Sequence, residues 1–183
     1  MSRLLGAILA GGRSSRFGSD KAQALHVGRP LLAHVVDAIR GEVAAVLVCG
    51  RADSGLPGIP AVADRPAPDL GPLGGLNAAL AYAREHGFDM VLTVGCDTPV
   101  VPRGLVARLH AAGPPAIVAD MPIIGLWPAM LADRLDGHIE AGGNMSLRHW
   151  AQSVGATFLA VENVIPNINT PEDLATLGPL KPR

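Results

Sequence analysis

The stretch Leu9–Ala22, LAGGRSSRFGSDKA, lies directly behind the apolar run Leu4–Leu9 and brings together two adjacent glycines, two arginines, an aspartate and a lysine. An apolar run that stops on a Gly-Gly turn and continues into cations is the pattern of a buried strand whose carboxyl end faces a ligand. Gly11 and Gly12 let a ligand approach the main chain closely, and N–H groups exposed in such a turn form a cradle for phosphate oxygens. Arg13, Arg16 and Lys21 add charge, the arginines as planar forks and the lysine as a compact point charge. An isolated Gly-Gly pair is otherwise a surface turn with solvated cations; here the number of charges behind one strand favours phosphate binding.

Two familiar phosphate loops do not fit. A P-loop needs four residues between its glycine and a Gly-Lys-Ser/Thr, whereas five separate Gly12 from Gly18 and Lys21 comes later still. The dinucleotide fingerprint Gly-x-Gly-x-x-Gly is absent from GGRSSRFG, which disfavours a Rossmann-type dehydrogenase.

Outward from this stretch, short apolar runs alternate with amphipathic segments. The runs Leu4–Ala10, Val43–Gly50, Ile59–Ala63, Met90–Cys96, Ala116–Ala119 and Thr157–Val161 are brief and bounded by turn residues, as expected of strands buried on both faces. Pro30–Arg40, Leu73–His86, Arg103–Ala112, Met130–Ala141 and Met145–Val154 carry apolar residues at helical spacing. Such alternation predicts an α/β fold with a mostly parallel sheet covered by helices on both faces, in a single domain spanning residues 1–183. The Pro- and Gly-rich stretch Gly50–Leu73 predicts long loops around a short third strand.

In such sheets the ligand sits beyond the carboxyl ends of the strands, so Gly11, Gly12, Gly18, Asp64, Gly71 and Asp97 are expected at one edge. In TVGCDTP, Asp97 ends a wholly apolar run and Pro99 stops helix continuation. A carboxylate there, beside a phosphate cradle, suits Mg²⁺, which takes one or two carboxylates together with substrate phosphates. Asp64, in AVADRP, follows the third strand and reads either as a ligand contact or as a simple turn residue.

Composition narrows the partners. The chain has 183 residues, 49% of them hydrophobic, and its 15 basic against 16 acidic residues leave a net charge of −1. No global basic field exists to hold nucleic acid. No apolar run approaches the roughly 20 residues needed to cross a bilayer, and Met1–Ala10 is too short for a signal peptide, so a cytoplasmic location is expected. Cys49 and Cys96 each end an apolar run, form no zinc spacing, and are expected to be buried thiols. The six histidines show no metal spacing and fall mostly on predicted helices, where exposed or half-buried structural roles are expected. Trp127 and Trp150 read as packing residues, with a pocket-lining role open for Trp127.

LAGGRSSRFGSDKA closely resembles the signature of the nucleotidyltransferase superfamily that includes the molybdenum cofactor guanylyltransferases of MobA type. GPLGGLNAAL at Gly71–Leu80, CDTPVVP at Cys96–Pro102, GLWPAML at Gly125–Leu131 and NINTPEDL at Asn167–Leu174 are similar to further blocks of that family, in order, over almost the whole chain. The resemblance implies a three-layer αβα, Rossmann-like nucleotidyltransferase sheet. It also implies transfer of GMP from Mg-GTP to the phosphate of molybdopterin, giving the guanine dinucleotide and pyrophosphate. Carried over by position, the main chain at Leu9, Ala10, Gly11 and Gly12 would hold the guanine side of the nucleotide. Arg16 and Lys21 would hold its phosphates, Asp64 and Gly71 the nucleoside, and Asp97 the Mg²⁺, with Arg16, Lys21 and Asp97 as the catalytic set. Asn167 and Asn169 would reach the second substrate. The implied partners are GTP, molybdopterin and the proteins of molybdenum cofactor insertion and maturation. The alternatives are a cytidylyltransferase of molybdopterin, a sugar-1-phosphate nucleotidyltransferase, and a non-catalytic nucleotide-binding adaptor.

The chain departs from the family pattern at two points. Relatives carry a polar loop ending in His-Pro before the GLWP block, whereas VADMPIIGLWP runs straight through with Met121 before Pro122. Many also place an Asn suited to base contact after the second strand, where this chain has Cys49.

Overall fold

The apolar runs become the strands of one sheet in the computed structural model, which describes residues 2–11, 20–162 and 164–178. In chain order the elements are β1 (Leu4–Leu9), β2 (Leu25–His26), β3 (Arg29–Pro30), α1 (Leu31–Arg40), β4 (Ala45–Cys49), β5 (Ala61–Val62), α2 (Gly71–Glu85) and β6 (Met90–Gly95). There follow α3 (Leu105–Ala111), β7 (Ala116–Val118), β8 (Met121–Pro128), α4 (Ala132–Glu140), α5 (Leu147–Ser153), β9 (Thr157–Leu159) and α6 (Pro171–Thr176). Among the described residues seven strands pair in the order β5-β4-β1-β6-β8-β7-β9, and β2 with β3 forms a separate hairpin.

Alternation along β1 explains the three layers. Leu5, Ala7 and Leu9 join Leu47, Cys49 and Trp127 in a core covered by α2, α4 and α5 through Leu73, Leu76, Leu80, Leu135, Leu147 and Trp150. Ile8 faces the other way, into a core with Val46, Val48, Leu92 and Val94 covered by α1 and α3 through Leu32, Val35, Ile39, Leu105 and Leu109. Both faces are therefore dry, which is why the strands read as continuous apolar runs. A methyl group on Gly6 would meet Ile39 Cδ1 at 2.9 Å, so the bare Cα lets α1 lie close against β1.

The pairings β5-β4, β4-β1, β1-β6 and β7-β9 are parallel, as expected, but β8 runs antiparallel to both of its neighbours. The sequence reading has no strand at β8, because Pro122, Gly125 and Pro128 interrupt MPIIGLWP. The register shifts between Ile117 and Val118, and this irregularity accommodates Pro122, while Pro128 lies opposite Met90 at the end of the β6 pairing. Only Ala119 and Asp120 connect β7 to β8, so the polar loop of the family pattern is replaced by a tight hairpin. The β2-β3 hairpin and α6 are also additions to the sequence reading. Thr170 and Asp173 close a reciprocal capping box at the start of α6.

Two packing expectations change. Trp127 is fully buried and donates from Nε1 to Thr93 Oγ1 at 3.0 Å, which places it in the core and not on a pocket wall. His26 and His34 are buried, not exposed or half-buried: the His34 ring contacts the main-chain oxygen of His26 at 2.9 Å, and the His26 ring contacts that of Gly178 at 3.3 Å. No helix among the described residues is long and apolar enough to cross a membrane.

Candidate active site

Because β4, β1 and β6 are parallel neighbours, their carboxyl ends open side by side. Main-chain bonds lock them there: the Ala10 N–H donates to Cys49 O at 2.8 Å and the Cys96 N–H to Leu9 O at 3.1 Å. Beyond these ends lies a cleft of about 210 Å³ lined by Leu9, Ala10, Gly11, Asp20, Lys21, Ala22, Pro72, Cys96, Asp97 and Ile123. Ile123 reaches the cleft from the irregular stretch of β8, which sequence reasoning did not foresee.

Lys21 and Asp97 meet in this cleft. Lys21 Nζ lies 3.1 Å from Asp97 Oδ2, with side-chain exposures of 13% and 19%, so the pair is sheltered yet reachable by a ligand. Lys21 follows Asp20, whose side chain accepts from the Ala22 N–H and starts a 3-10 turn over Lys21–Gln23. Asp97 is fixed by its own surroundings: its Oδ1 accepts from Thr98 Oγ1 at 3.2 Å, and its main-chain oxygen accepts from the Ile168 N–H at 2.9 Å. The second of these docks the Asn167–Asn169 segment against the β6 end. Asn169 Oδ1 comes to 3.4 Å from Lys21 Nζ, so one of the two proposed asparagines joins the cluster. Asn167 is exposed and outside it.

Asp64 occupies a second position at the same edge. It is 7% exposed and accepts from the main-chain N–H groups of Leu70 and Gly71, at the start of α2. Its Oδ1 is buried with no hydrogen-bond partner. A methyl group on Gly11 would meet Gly50 Cα at 3.2 Å and both Asp64 carboxylate oxygens at 3.4 Å. Gly50, at φ +87°, has no room for a side chain against Gly11. Asp64 is therefore held beneath the Gly11 turn, and Gly71 contributes an amide at a left-handed φ of +69°. Leu9 and Ala10 contribute a main chain already committed to the sheet. Gly12, Arg13, Arg16 and Gly18 lie outside the described residues.

Burial holds the Asp64 carboxyl above the usual carboxylate range. An acid with a raised folded-state pKa binds protons more tightly folded than unfolded, so this group removes stability as pH climbs from the unfolded value through the folded one. Asp64→Asn cannot ionise. The Tm difference, variant minus parent, is thus expected to move in the variant's favour between pH 3 and pH 7; thermal melts showing no such drift would remove the ionisation cost from Asp64.

The cysteines divide. Cys49 is fully buried, and burial drives its thiol far up, so it offers no substitute for a base-reading asparagine. Cys96 is only partly buried and lines the cleft, contrary to the sequence reading; its thiol is pushed up to about 12 by desolvation and by Asp97, which leaves it neutral. Among the described residues no group of three or more His, Cys, Asp or Glu is arranged to hold a metal unaided. The donor set does fit Mg²⁺ bound through a single carboxylate, Asp97, with phosphate oxygens completing the shell.

Comparison with known proteins identifies the family. Residues 6–156 match the family model of the MobA-like NTP transferase domain. The chain is 38% identical to a molybdenum cofactor guanylyltransferase of Rhizobium leguminosarum bv. trifolii (strain WSM2304), over 95% of this chain and 91% of the relative. It is 35% identical to the molybdenum cofactor guanylyltransferase of Rhodobacter capsulatus, over 94% of each chain. The crystal structure of molybdopterin-guanine dinucleotide biosynthesis protein A from Archaeoglobus fulgidus shares the fold, with a TM-score of 0.74 at 22% identity over 93% of this chain and 95% of the other. With a strand-glycine turn and a Lys21–Asp97 pair at the carboxyl ends of its parallel strands, and with most of its length matched in sequence, the chain belongs to the MobA-like NTP transferase family.

Proposed function

We propose that this protein transfers GMP from Mg-bound GTP to the phosphate of molybdopterin, releasing pyrophosphate. The Lys21–Asp97 pair in the cleft is the observation that carries the reading. A phosphate monoester is already ionised at neutral pH, so its oxygen attacks the α-phosphorus without a general base, and the bond to pyrophosphate breaks. The residues therefore have to position and neutralise charge. Lys21 supplies a sheltered ammonium to the phosphates, with Arg16 in the same role by resemblance. Mg²⁺, held by Asp97 and phosphate oxygens, would neutralise negative charge on the triphosphate.

In this reading the Leu9–Gly12 turn lies against the guanine edge, Asp64 and Gly71 support the nucleoside side from beneath that turn, and Asn169 and Asn167 belong to the side of the second substrate. The reaction belongs to the cytoplasm, where its product passes to the proteins of molybdenum cofactor insertion and maturation. Incubation with GTP or CTP and molybdopterin, followed by mass analysis, tests this; a cytosine dinucleotide as the main product would overturn the guanylyl assignment.

Base preference is expected to rest on Gly11. A Cβ there presses on Gly50 Cα and fills the space up to the Asp64 carboxylate, so the perturbation would reach the base through the floor of the site as well as by direct crowding. A misplaced polar contact costs about 1–3 kcal/mol, so Gly11→Ala should lower the GTP to CTP ratio of kcat/KM by about tenfold. An unchanged ratio removes Gly11 from the account of specificity.

A further inference from the structure

Arg51 follows β4 and was given no role by the sequence reading, yet its guanidinium forms a two-pronged contact with Asp20. Nη1 donates to Asp20 Oδ1 at 2.9 Å and Nη2 to Oδ2 at 2.5 Å, while Nε donates to Asp53 O at 3.2 Å. Asp20 is the residue whose carboxylate starts the turn carrying Lys21. The same turn is gripped again two residues on, where Gln23 Nε2 donates to Ser54 O at 3.1 Å.

The loop that does the gripping is rigidly founded. Its first residues pair with the next strand, the Gly50 and Arg51 N–H groups both donating to Val62 O, at 2.9 and 3.3 Å. Ser54 is 1% exposed, and its hydroxyl donates to Ile59 O at 2.7 Å. The loop after β4 thus braces the Lys21 turn from the β4 side of β1, whereas Asp97 follows β6 on the other side of that strand.

Asp20 is about half exposed and Arg51 about one-fifth, and ion pairs this open contribute little to overall stability. The value of the contact lies in geometry. A planar fork on a carboxylate fixes direction as well as distance, and here both terminal nitrogens of Arg51 engage Asp20. The Arg51 guanidinium holds the Asp20 carboxyl below its usual range, so the clamp stays charged across the neutral region.

We infer that Arg51 is a positioning residue for the transfer reaction: through Asp20 it sets the turn that aims Lys21 into the cleft. This rests on the phosphate role of Lys21 given above, and no contact of Arg51 with substrate is required.

A double-mutant cycle tests it, run on whichever nucleoside triphosphate the parent turns over fastest so that a wrong base assignment leaves it intact. Arg51→Ala is expected to lower kcat for pyrophosphate release about tenfold or more, with a much smaller change in nucleotide KM, since misplacement of a catalytic group by about 1 Å can cost that much. Arg51→Lys should recover only part of the loss, because one ammonium cannot reproduce the fork. Asp20→Asn reads the same contact from its other side. In a Lys21→Ala background, measured in single turnover with enzyme in excess, Arg51→Ala should have no further effect.

A second readout needs no activity. Acetylation of Lys21 by a small amine-reactive reagent, followed by peptide mass analysis, should be slow in the parent, where the amine is held by Asp97 and Asn169, and severalfold faster in Arg51→Ala and Asp20→Asn. Equal fractional losses in both backgrounds, or unchanged Lys21 labelling, would overturn the assignment. A parent inert with every nucleotide would instead overturn the proposed function, with the labelling result still deciding the role of Arg51.

Discussion

Lys21→Ala is expected to lower transfer by about 10³-fold while the fold survives. Catalysis without a general base depends on charges preorganised where negative charge develops, and removing one such group typically costs on the order of 10²- to 10³-fold. Lys21 stands toward the upper end because it is a full cation, 13% exposed, with its ammonium held by Asp97 and Asn169. The loss should fall mainly on kcat, since a charge contact that strengthens as the α-phosphorus bonds rearrange acts on the transition state more than on nucleotide binding. The alanine itself sits in a three-residue turn whose start is fixed by Asp20 and not by the lysine side chain, so circular dichroism and Tm should stay near the parent's. Parental turnover in a purified Lys21→Ala variant would remove the phosphate role.

The meeting of Lys21 and Asp97 was legible from sequence despite a separation of 76 positions. Each follows an apolar run, and neighbouring parallel strands bring their carboxyl ends to one edge. Asn169, 148 residues from Lys21, came to the site only by resemblance, because an irregular segment after the last strand carries no periodic signal of where it docks. β8 was missed for a different reason. Its prolines and glycine are turn residues by propensity, and pairing with β6 and β7 overrides that preference. The Arg51–Asp20 clamp was illegible because it joins two loops, whose approach depends on side-chain placement and not on any spacing along the chain. Asp20 stood in full view beside Lys21. Nothing in the sequence pairs it with Arg51, which lies beyond β4.

The shortened hairpin also bears on what the site can hold. In the family pattern a polar loop ends in His-Pro at this place, whereas here β7 turns into β8 through Ala119 and Asp120 alone. The stretch reaches the cleft through Ile123, an apolar residue. Polar contacts to a second substrate must therefore come from elsewhere on the rim. Under the proposed function Asn169 is the candidate for this, its segment docked beside Asp97 by the Ile168 N–H. The Asn167–Asn169 segment thus reaches the Lys21–Asp97 pair through Ile168 and Asn169.

Asp97→Asn separates charge from shape at the metal position. In the parent, Oδ2 faces Lys21 and Oδ1 accepts from the Thr98 hydroxyl. An asparagine can turn its carbonyl oxygen toward Lys21, and the Thr98 hydroxyl can rotate to accept from the amide, so both contacts survive with little movement. What disappears is the negative charge. A hard divalent cation prefers a carboxylate, and the other carboxylate lining the cleft, Asp20, has both its oxygens engaged by Arg51. The variant is therefore expected to lose activity by about 10²-fold or more, the scale of losing one electrostatic contact to the transition state. Its Mg²⁺ titration should shift to higher concentration and no longer saturate in the parental range. Titrating activity with Mg²⁺ in parent and variant at fixed GTP distinguishes the two effects. If the rate falls but the metal curve does not move, Asp97 serves Lys21 alone; if the variant keeps both the parental rate and the parental curve, the carboxylate has no part in metal binding or catalysis.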